Sequence, residues 1–370
     1  MKVGFLINPV AGMGGSVALK GTDGEDTLRL ALERGAVPIA GARAAAAVSE
    51  FAPSAAGHVF ITPAGPMGED VLNKFSIAHE VICASSGSTT AADTKRAAKA
   101  MAEAGAELII FAGGDGTARD ICSVVGETIP VVGIPAGVKI HSGVYAKRPK
   151  DAGRLIRSVL DGKVSRFAQA EVEDIDEEAF RQGIVRARLY GYMTVPDDRQ
   201  YMQGRKTGSG GGASESAELA AWTVSQMKRD HLYLIGSGST MAAVLRAMNL
   251  DGTLLGVDAV LNGDLVGRDL TAAQIAEILS GYEAQKRHLV ITIIGGQGHI
   301  FGRGNQQLSP AVLRMIPAEN ITVIATPSKM APLIGRSLTA DTGDEALDEE
   351  LCGYIKVVIG TGRSIMAKIG

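Results

Sequence analysis

The stretch FAGGDGTARD, Phe111 to Asp120, sets an acid inside a glycine turn directly after an aliphatic run. A strand that ends this way and leads into a helix presents unpaired backbone amides at its carboxyl end. Glycines let those amides approach phosphate oxygens, and the helix N-terminus adds partial positive charge. Gly113, Gly114, Gly116 and Thr117 are therefore candidate phosphate-cradle residues. An acid in such a cradle would repel its ligand unless it had another task. Asp115 fits either a holder of Mg²⁺ or the acceptor of a proton from an attacking hydroxyl, both of which phosphoryl transfer needs. The competing reading is an Asx-turn with a helix cap.

A second turn, NPVAGMGG (Asn8 to Gly15), follows the first apolar run. Asn8 and Gly12 would lie beside the first turn if the two strands are neighbours; otherwise they form an ordinary strand-end turn. Lys139 and His141, in PAGVKIHS (Pro135 to Ser142), also follow an apolar run and should sit on the same edge. There a lysine would neutralise phosphate charge and a histidine would donate a hydrogen bond, the alternative being a solvated loop. Gly238, Ser239 and Thr240 in GSGST can seat a phosphate or ribose with N–H and hydroxyl donors, or can simply cap a helix. Arg303 and Asn305 occupy the glycine-rich GHIFGRGNQQ, which is expected to close over substrate or to form a structural Ω-loop. Lys20 and Asp23 in LKGTDG and Asp258 in LLGVDAV are further candidates. No GxxxxGK[ST] sequence occurs, so the Walker-type route to ATP is absent.

These turns need strands to position them. KVGFLINP, HVFITP, EVICAS, AELIIFAGG and TIPVVGIPAG read as continuous apolar strands. Helical stretches fall between some of them: TTAADTKRAAKAMAEAG, with Thr89, Thr90 or Asp93 as N-cap and Gly105 as stop, and one from about Thr117. Such a run indicates a doubly wound α/β sheet covered on both faces. From about Asp161 the character changes. GIVRARLYGYMTVP alternates like a strand with one exposed face, and DDRQYMQGRKTGSGGGASES is polar and reads as a mobile loop. HLYLI, RHLVITII and NITVIATP are strands, and GYIKVVIGTGRSIMAKIG is a hairpin around Thr361-Gly362. The expected domains are 1–160, an α/β phosphate-binding domain; 161–345, a β-rich substrate domain; and 346–370, a hairpin able to return to the first domain.

A chain of 370 residues is too long for one compact core. Its net charge of −3 argues against a general nucleic-acid surface. Cys83, Cys122 and Cys352 lie far apart with no metal-site spacing, consistent with a reducing, cytoplasmic setting. No stretch approaches the roughly 18 apolar residues of a membrane span.

Taken together, INPVAGMGG, LKGTDG, FAGGDGTARDI, GIPAGVKIHSGVYA, DIDEEAFR, GGQGHIFGRGNQQLSP and DTGDEALDEEL resemble the ATP-NAD kinase-like group that includes AcoX-type proteins. That group lies within the superfamily of NAD kinases, diacylglycerol and sphingosine kinases and, more distantly, phosphofructokinases. The resemblance implies a Rossmann-like N-terminal domain and a second, mainly β domain, with the active site in the cleft between them. It implies ATP with Mg²⁺ as donor, with polyphosphate as the alternative donor, and NAD as acceptor at its 2′-OH. On the same ground Asp115 is catalytic, Ser239 and Thr240 face the substrate, and the protein is a homo-oligomer acting on nucleotides, without nucleic-acid or membrane partners. Two departures stand out. RQGIVRARLYGYMTVP does not reproduce the Asn-acid pair with which NAD kinases grip adenosine, and PAGVKIHS replaces the lipid-kinase Pro-x-Gly-Thr-x-Asn. The alternatives are a kinase of another small-molecule or lipid hydroxyl, and a non-catalytic NAD- or ATP-binding regulator.

Overall fold

The computed structural model describes residues 1–19, 25–85, 89–175, 187–198, 200–204 and 213–370. Lys20 and Asp23, most of DIDEEAFR and the centre of the 197–216 segment lie outside the described residues. The chain forms two compact units.

In the first unit five strands make one parallel sheet: β1 (Lys2–Ile7), β2 (Val59–Pro63), β3 (His79–Cys83), β4 (Leu108–Gly113) and β5 (Val131–Pro135). Their order is β3-β2-β1-β4-β5. The aliphatic runs read from the sequence account for it: Phe5, Leu6, Ile7, Ile109, Ile110, Phe111, Val131 and Val132 are completely buried. Such side chains stabilise by roughly 1.5–3 kcal/mol each relative to exposure, which is why both faces must be covered. The helices are α1 (Glu25–Glu33), α2 (Ala40–Phe51), α3 (Glu69–Lys74), α4 (Ala91–Glu103), α5 (Asp115–Val125) and α6 (Pro149–Leu160). Helix α4 starts where its sequence says: Thr90 is the N-cap and Asp93 completes a capping box.

A hairpin of β6 (Phe167–Ile175) and β7 (Ala187–Pro196) follows. It belongs to the first unit, contrary to the expected division at residue 160. Val172, Met193 and Val195 enter that unit's core, and Arg119 on α5 pairs with Asp174 on β6 at 2.8 Å. The compact unit therefore extends to about residue 205.

The second unit contains α7 (Ala213–Ser225), β8 (Leu232–Ile235), α8 (Ser239–Ala247), β9 (Asp258–Leu261), β10 (Asp264–Gly267), α9 (Ala272–Ser280), β11 (Arg287–Thr292), β12 (His299–Phe301), α10 (Pro310–Arg314), β13 (Ile321–Ile324), α11 (Pro327–Met330), β14 (Thr339–Ala340), α12 (Glu345–Glu350), β15 (Gly353–Gly360) and β16 (Arg363–Ile369). Seven strands form one sheet in the order β10-β9-β8-β11-β13-β15-β16, and β12 pairs with β14. The centre of the large sheet, β8-β11-β13-β15, is parallel, and its edges are antiparallel. The unit is mainly β, as expected. The terminal hairpin does not return to the first domain, because β15 pairs with β13 and completes this sheet. Residues 14–19 and 34–36 also cluster here: Ala272 N donates to Ser16 O (2.9 Å) and Arg34 Nη1 to Val17 O (3.1 Å).

At the start of this sheet, His231 Nδ1 lies 2.8 Å from His288 Nε2, and Tyr233 stacks on the His288 ring. Burial, then the neighbouring His231 and Lys228, push His288 down from 6.5 to about 4. A histidine with a depressed folded value contributes stability that is complete above 6.5 and fades as the pH falls toward 4. Urea midpoints of the second unit should therefore drop across that window. His288→Phe should flatten the drop; an unchanged slope in that variant would count against this site as its source.

Candidate functional site

The strand order reverses between β1 and β4, so their carboxyl ends form the switch point at which open α/β sheets bind ligands. Both glycine turns are there. Asn8 N donates to Ala112 O (2.9 Å), and Asn8 Nδ2 donates to Thr117 Oγ1 (2.9 Å). The neighbouring strands that NPVAGMGG required are thus present, and Asn8 ties one turn to the other.

Helix α5 begins at Asp115, two residues before the position read from sequence. Its first i to i−4 bond is Ala118 N to Gly114 O at 3.0 Å, so the amides of Asp115, Gly116 and Thr117 open the helix ahead of any internal acceptor. The loop after β5 packs backbone on backbone against this turn. Ala136 N and Gly137 N donate to Gly113 O (2.9 and 3.0 Å), and a Cβ on Gly137 would stand 2.7 Å from Gly114 Cα. A side chain at Gly137 would need a backbone shift, and a Cβ at Gly114 would stand 3.1 Å from Gly137 Cα. Gly12 closes the other side, with a φ of +79° and an imagined Cβ 1.9 Å from Ala136 O. Asn8, Gly12, Gly113, Gly114, Gly116, Thr117 and the 136–142 loop are therefore one assembly.

Asp115 sits inside it and is not a cap: the N-cap is Gly114, with no side-chain cap bond. Its side chain is 5% exposed. Oδ2 accepts from His141 N (2.7 Å) and lies 3.0 Å from His141 Nδ1, while Oδ1 accepts from Ser142 N (3.0 Å). A carboxylate cannot donate, so the ring nitrogen must. The His141 ring engages the acid through Nδ1. These three donors take three of the about four acceptor positions of the carboxylate. Among the described residues no three His, Cys, Asp or Glu converge on a metal site. Asp120, the other acid of the stretch, faces α4 and pairs with Lys95 at 3.4 Å; burial raises its carboxyl above the usual range. Lys139 lies in the same loop, part-buried.

Sequence reasoning missed three supporting residues: Gly137, Ser142 and Tyr145. Tyr145 is fully buried, its hydroxyl donates to Gly114 O at 2.5 Å, and it meets Phe111 edge-on. The signal was present in PAGVKIHSGVY, where a lone tyrosine follows the loop. Tyr145→Phe removes one of the two donors to Gly114 O, Ala118 N remaining, and should destabilise the first unit by about 0.5–1.5 kcal/mol; chemical denaturation measures it, and an unchanged midpoint would refute the bond's contribution.

The second unit carries its own turns at the carboxyl ends of β8, β11 and β13. Gly238 is the N-cap of α8, and Ser237 Oγ donates to Gly304 O (2.7 Å), joining GSGST to the loop of Arg303 and Asn305. Lys329, another residue not foreseen, reaches from α11 to Thr240 Oγ1 (2.7 Å) and Thr292 Oγ1 (3.4 Å). Arg303 is 5% exposed and Asn305 6%. Asn305 Nδ2 donates to Ile300 O (2.8 Å), while its buried Oδ1 has no hydrogen-bond partner among the described residues. Such an acceptor is costly unless a ligand supplies a donor. Asp258 is structural instead: fully buried, it accepts from Thr253 N, Thr253 Oγ1 and Asp269 N.

Two family models match this chain: the ATP-NAD kinase N-terminal domain over residues 3–164 and the ATP-NAD kinase C-terminal domain over 229–368. The chain belongs to the NAD kinase-like family. Its two-domain α/β fold is that of the NAD kinases, and it is a kinase of NAD-kinase type. No match was found among curated proteins or solved structures. The family's N-terminal match includes both glycine turns and the Asp115–His141 contact. The C-terminal match includes GSGST, Arg303, Asn305 and Lys329. Among the described residues, no helix is long and apolar enough to cross a membrane.

Proposed function

We propose that this kinase transfers the γ-phosphoryl group of ATP to the 2′-hydroxyl of the adenosine ribose of NAD, giving NADP. The observation that carries the reading is the joined pair of glycine turns at the β1/β4 switch point, with three helix-opening amides beside a buried carboxylate. Amides in this arrangement grip phosphate oxygens, and the helix end favours negative charge. Mg²⁺ carried by ATP would supply charge neutralisation on the β- and γ-oxygens, and no described residue is assigned to it. Gly238, Ser239, Thr240, Arg303 and Asn305 are assigned to the dinucleotide. The Oδ1 of Asn305, unpartnered among the described residues, suits a ribose hydroxyl or carboxamide N–H. The protein would act as a cytoplasmic homo-oligomer.

A second reading, transfer to a different small-molecule hydroxyl, is favoured by the absent Asn-acid pair in RQGIVRARLYGYMTVP. Incubation with ATP or polyphosphate, Mg²⁺ and a panel of acceptors separates the two. NADP formation supports the first, and ADP release only with another alcohol supports the second. Nucleotide binding with no transfer to any acceptor would sink both and leave a sensor.

A further inference from the structure

We infer that Asn305 sets the acceptor specificity of this protein: its Oδ1 accepts a hydrogen bond from an amino group of the dinucleotide. An analogue with oxygen in place of that amino group is rejected. This deepens the NAD reading above and rests on it. The polarity of the side chain is fixed by its neighbour. Ile300 O is a carbonyl and can only accept, so the amide atom 2.8 Å from it is Nδ2 and the other is Oδ1. That Oδ1 is buried with no hydrogen-bond partner among the described residues, a state that costs free energy until a donor arrives. NAD offers hydroxyl and NH₂ donors. A hydroxyl brings two lone pairs of its own into a buried position, whereas the carboxamide or adenine NH₂ is a donor only. The NH₂ is the better match to a lone acceptor.

The loop holds this acceptor from several sides. Leu308 N donates to Asn305 O (2.9 Å), and Ser237 Oγ donates to Gly304 O (2.7 Å). At Gly302, with a φ of +82°, an imagined Cβ would stand 1.6 Å from Asp341 O, so backbone lies on backbone there as well. Binding therefore need not order the loop. Room adjoins the side chain: Gly304 and Gln306, on either side of it, are partly exposed, and a Cβ on Gly304 would meet nothing within 4 Å. A site built to bond a donor discriminates strongly against an analogue that lacks it, because the protein's own group is then left buried and unsatisfied.

Two analogues separate the two amino groups of NAD. Nicotinic acid adenine dinucleotide carries a carboxylate in place of the carboxamide, and nicotinamide hypoxanthine dinucleotide carries a carbonyl oxygen in place of the adenine amino group. With ATP and Mg²⁺, wild-type protein should use NAD at least about 100-fold better than one of them, read as kcat/KM. Asn305→Leu, similar in volume but without the acceptor, should narrow that preference to about threefold or less by raising KM for NAD with kcat little changed. The preference that it levels identifies the amino group that Oδ1 receives. Asn305→Ala repeats the comparison with a smaller side chain in case leucine does not fold. A wild type that forms NADP yet uses all three dinucleotides equally overturns the assignment, Oδ1 then being satisfied by a buried water. Folded variants that keep the full preference overturn it too. A wild type that forms no NADP overturns the NAD reading itself, and the amino assignment with it.

Discussion

Asp115→Asn should lower kcat by about 10²–10⁴-fold and, in addition, weaken the first unit. An acid standing open at a catalytic site could be amidated with little structural effect. Asp115 is different, because both of its oxygens accept from the 141–142 loop. Asparagine keeps one carbonyl oxygen and turns an NH₂ group toward at least one N–H donor. Hydrogen bonds to a charged group contribute about 1.5–3 kcal/mol, and a buried donor left unpaired costs about 1–3 kcal/mol. A loss of about 2–4 kcal/mol is expected, read as a lower denaturant midpoint alongside the product assay. Wild-type turnover in this variant would remove Asp115 from the chemistry. A wild-type midpoint would show that its hydrogen bonds do not hold the loop.

Gly12→Ala should produce the largest purely steric effect at the candidate site. Alanine in the left-handed region costs about 1–2 kcal/mol, and here its methyl would also stand 1.9 Å from Ala136 O and 2.9 Å from Ile39 Cδ1. The backbone carbonyl cannot swing away without breaking the strand-end loop, so the NPVAGMGG turn must lift off β5. We expect at least about 3 kcal/mol of destabilisation and a KM for ATP raised tenfold or more. Gly57→Ala is the matched control: its φ is +85° and its surroundings are open, so only the conformational part should appear. Equal effects at the two positions would mean that the close approach at Gly12 is not maintained in solution.

The parallel sheet was legible because its strands are continuous aliphatic runs, and burial on both faces demands them. The two glycine turns were legible for a related reason, since backbone approach leaves a residue-type signature at Gly12, Gly113 and Gly114. What sequence could not supply was the partner of each group. Asp115 reads as an acid awaiting a ligand; only the fold shows His141 N, its ring and Ser142 N already upon it. Local pattern likewise hid the allegiance of β6 and β7. Their change of character at Asp161 suggested a new domain, yet Val172, Met193 and Val195 are claimed by the first core. Strands β12 and β14 escaped notice because they are short and lie within or beside glycine-rich loops, where pairing is set by distant chain. Lys329 follows a strand end but carries no motif, and its threonine partners come from two other strands.

The placement of residues 14–19 in the second unit bears on how the protein is born. The Ser16 carbonyl receives the amide of Ala272, a group that leaves the ribosome long after it. At about 5–20 residues per second, that early segment waits on the order of tens of seconds for its mate. A nascent first unit must therefore form around a looped-out stretch, and a piece translated from residue 206 onward would start life with a gap at the head of α9.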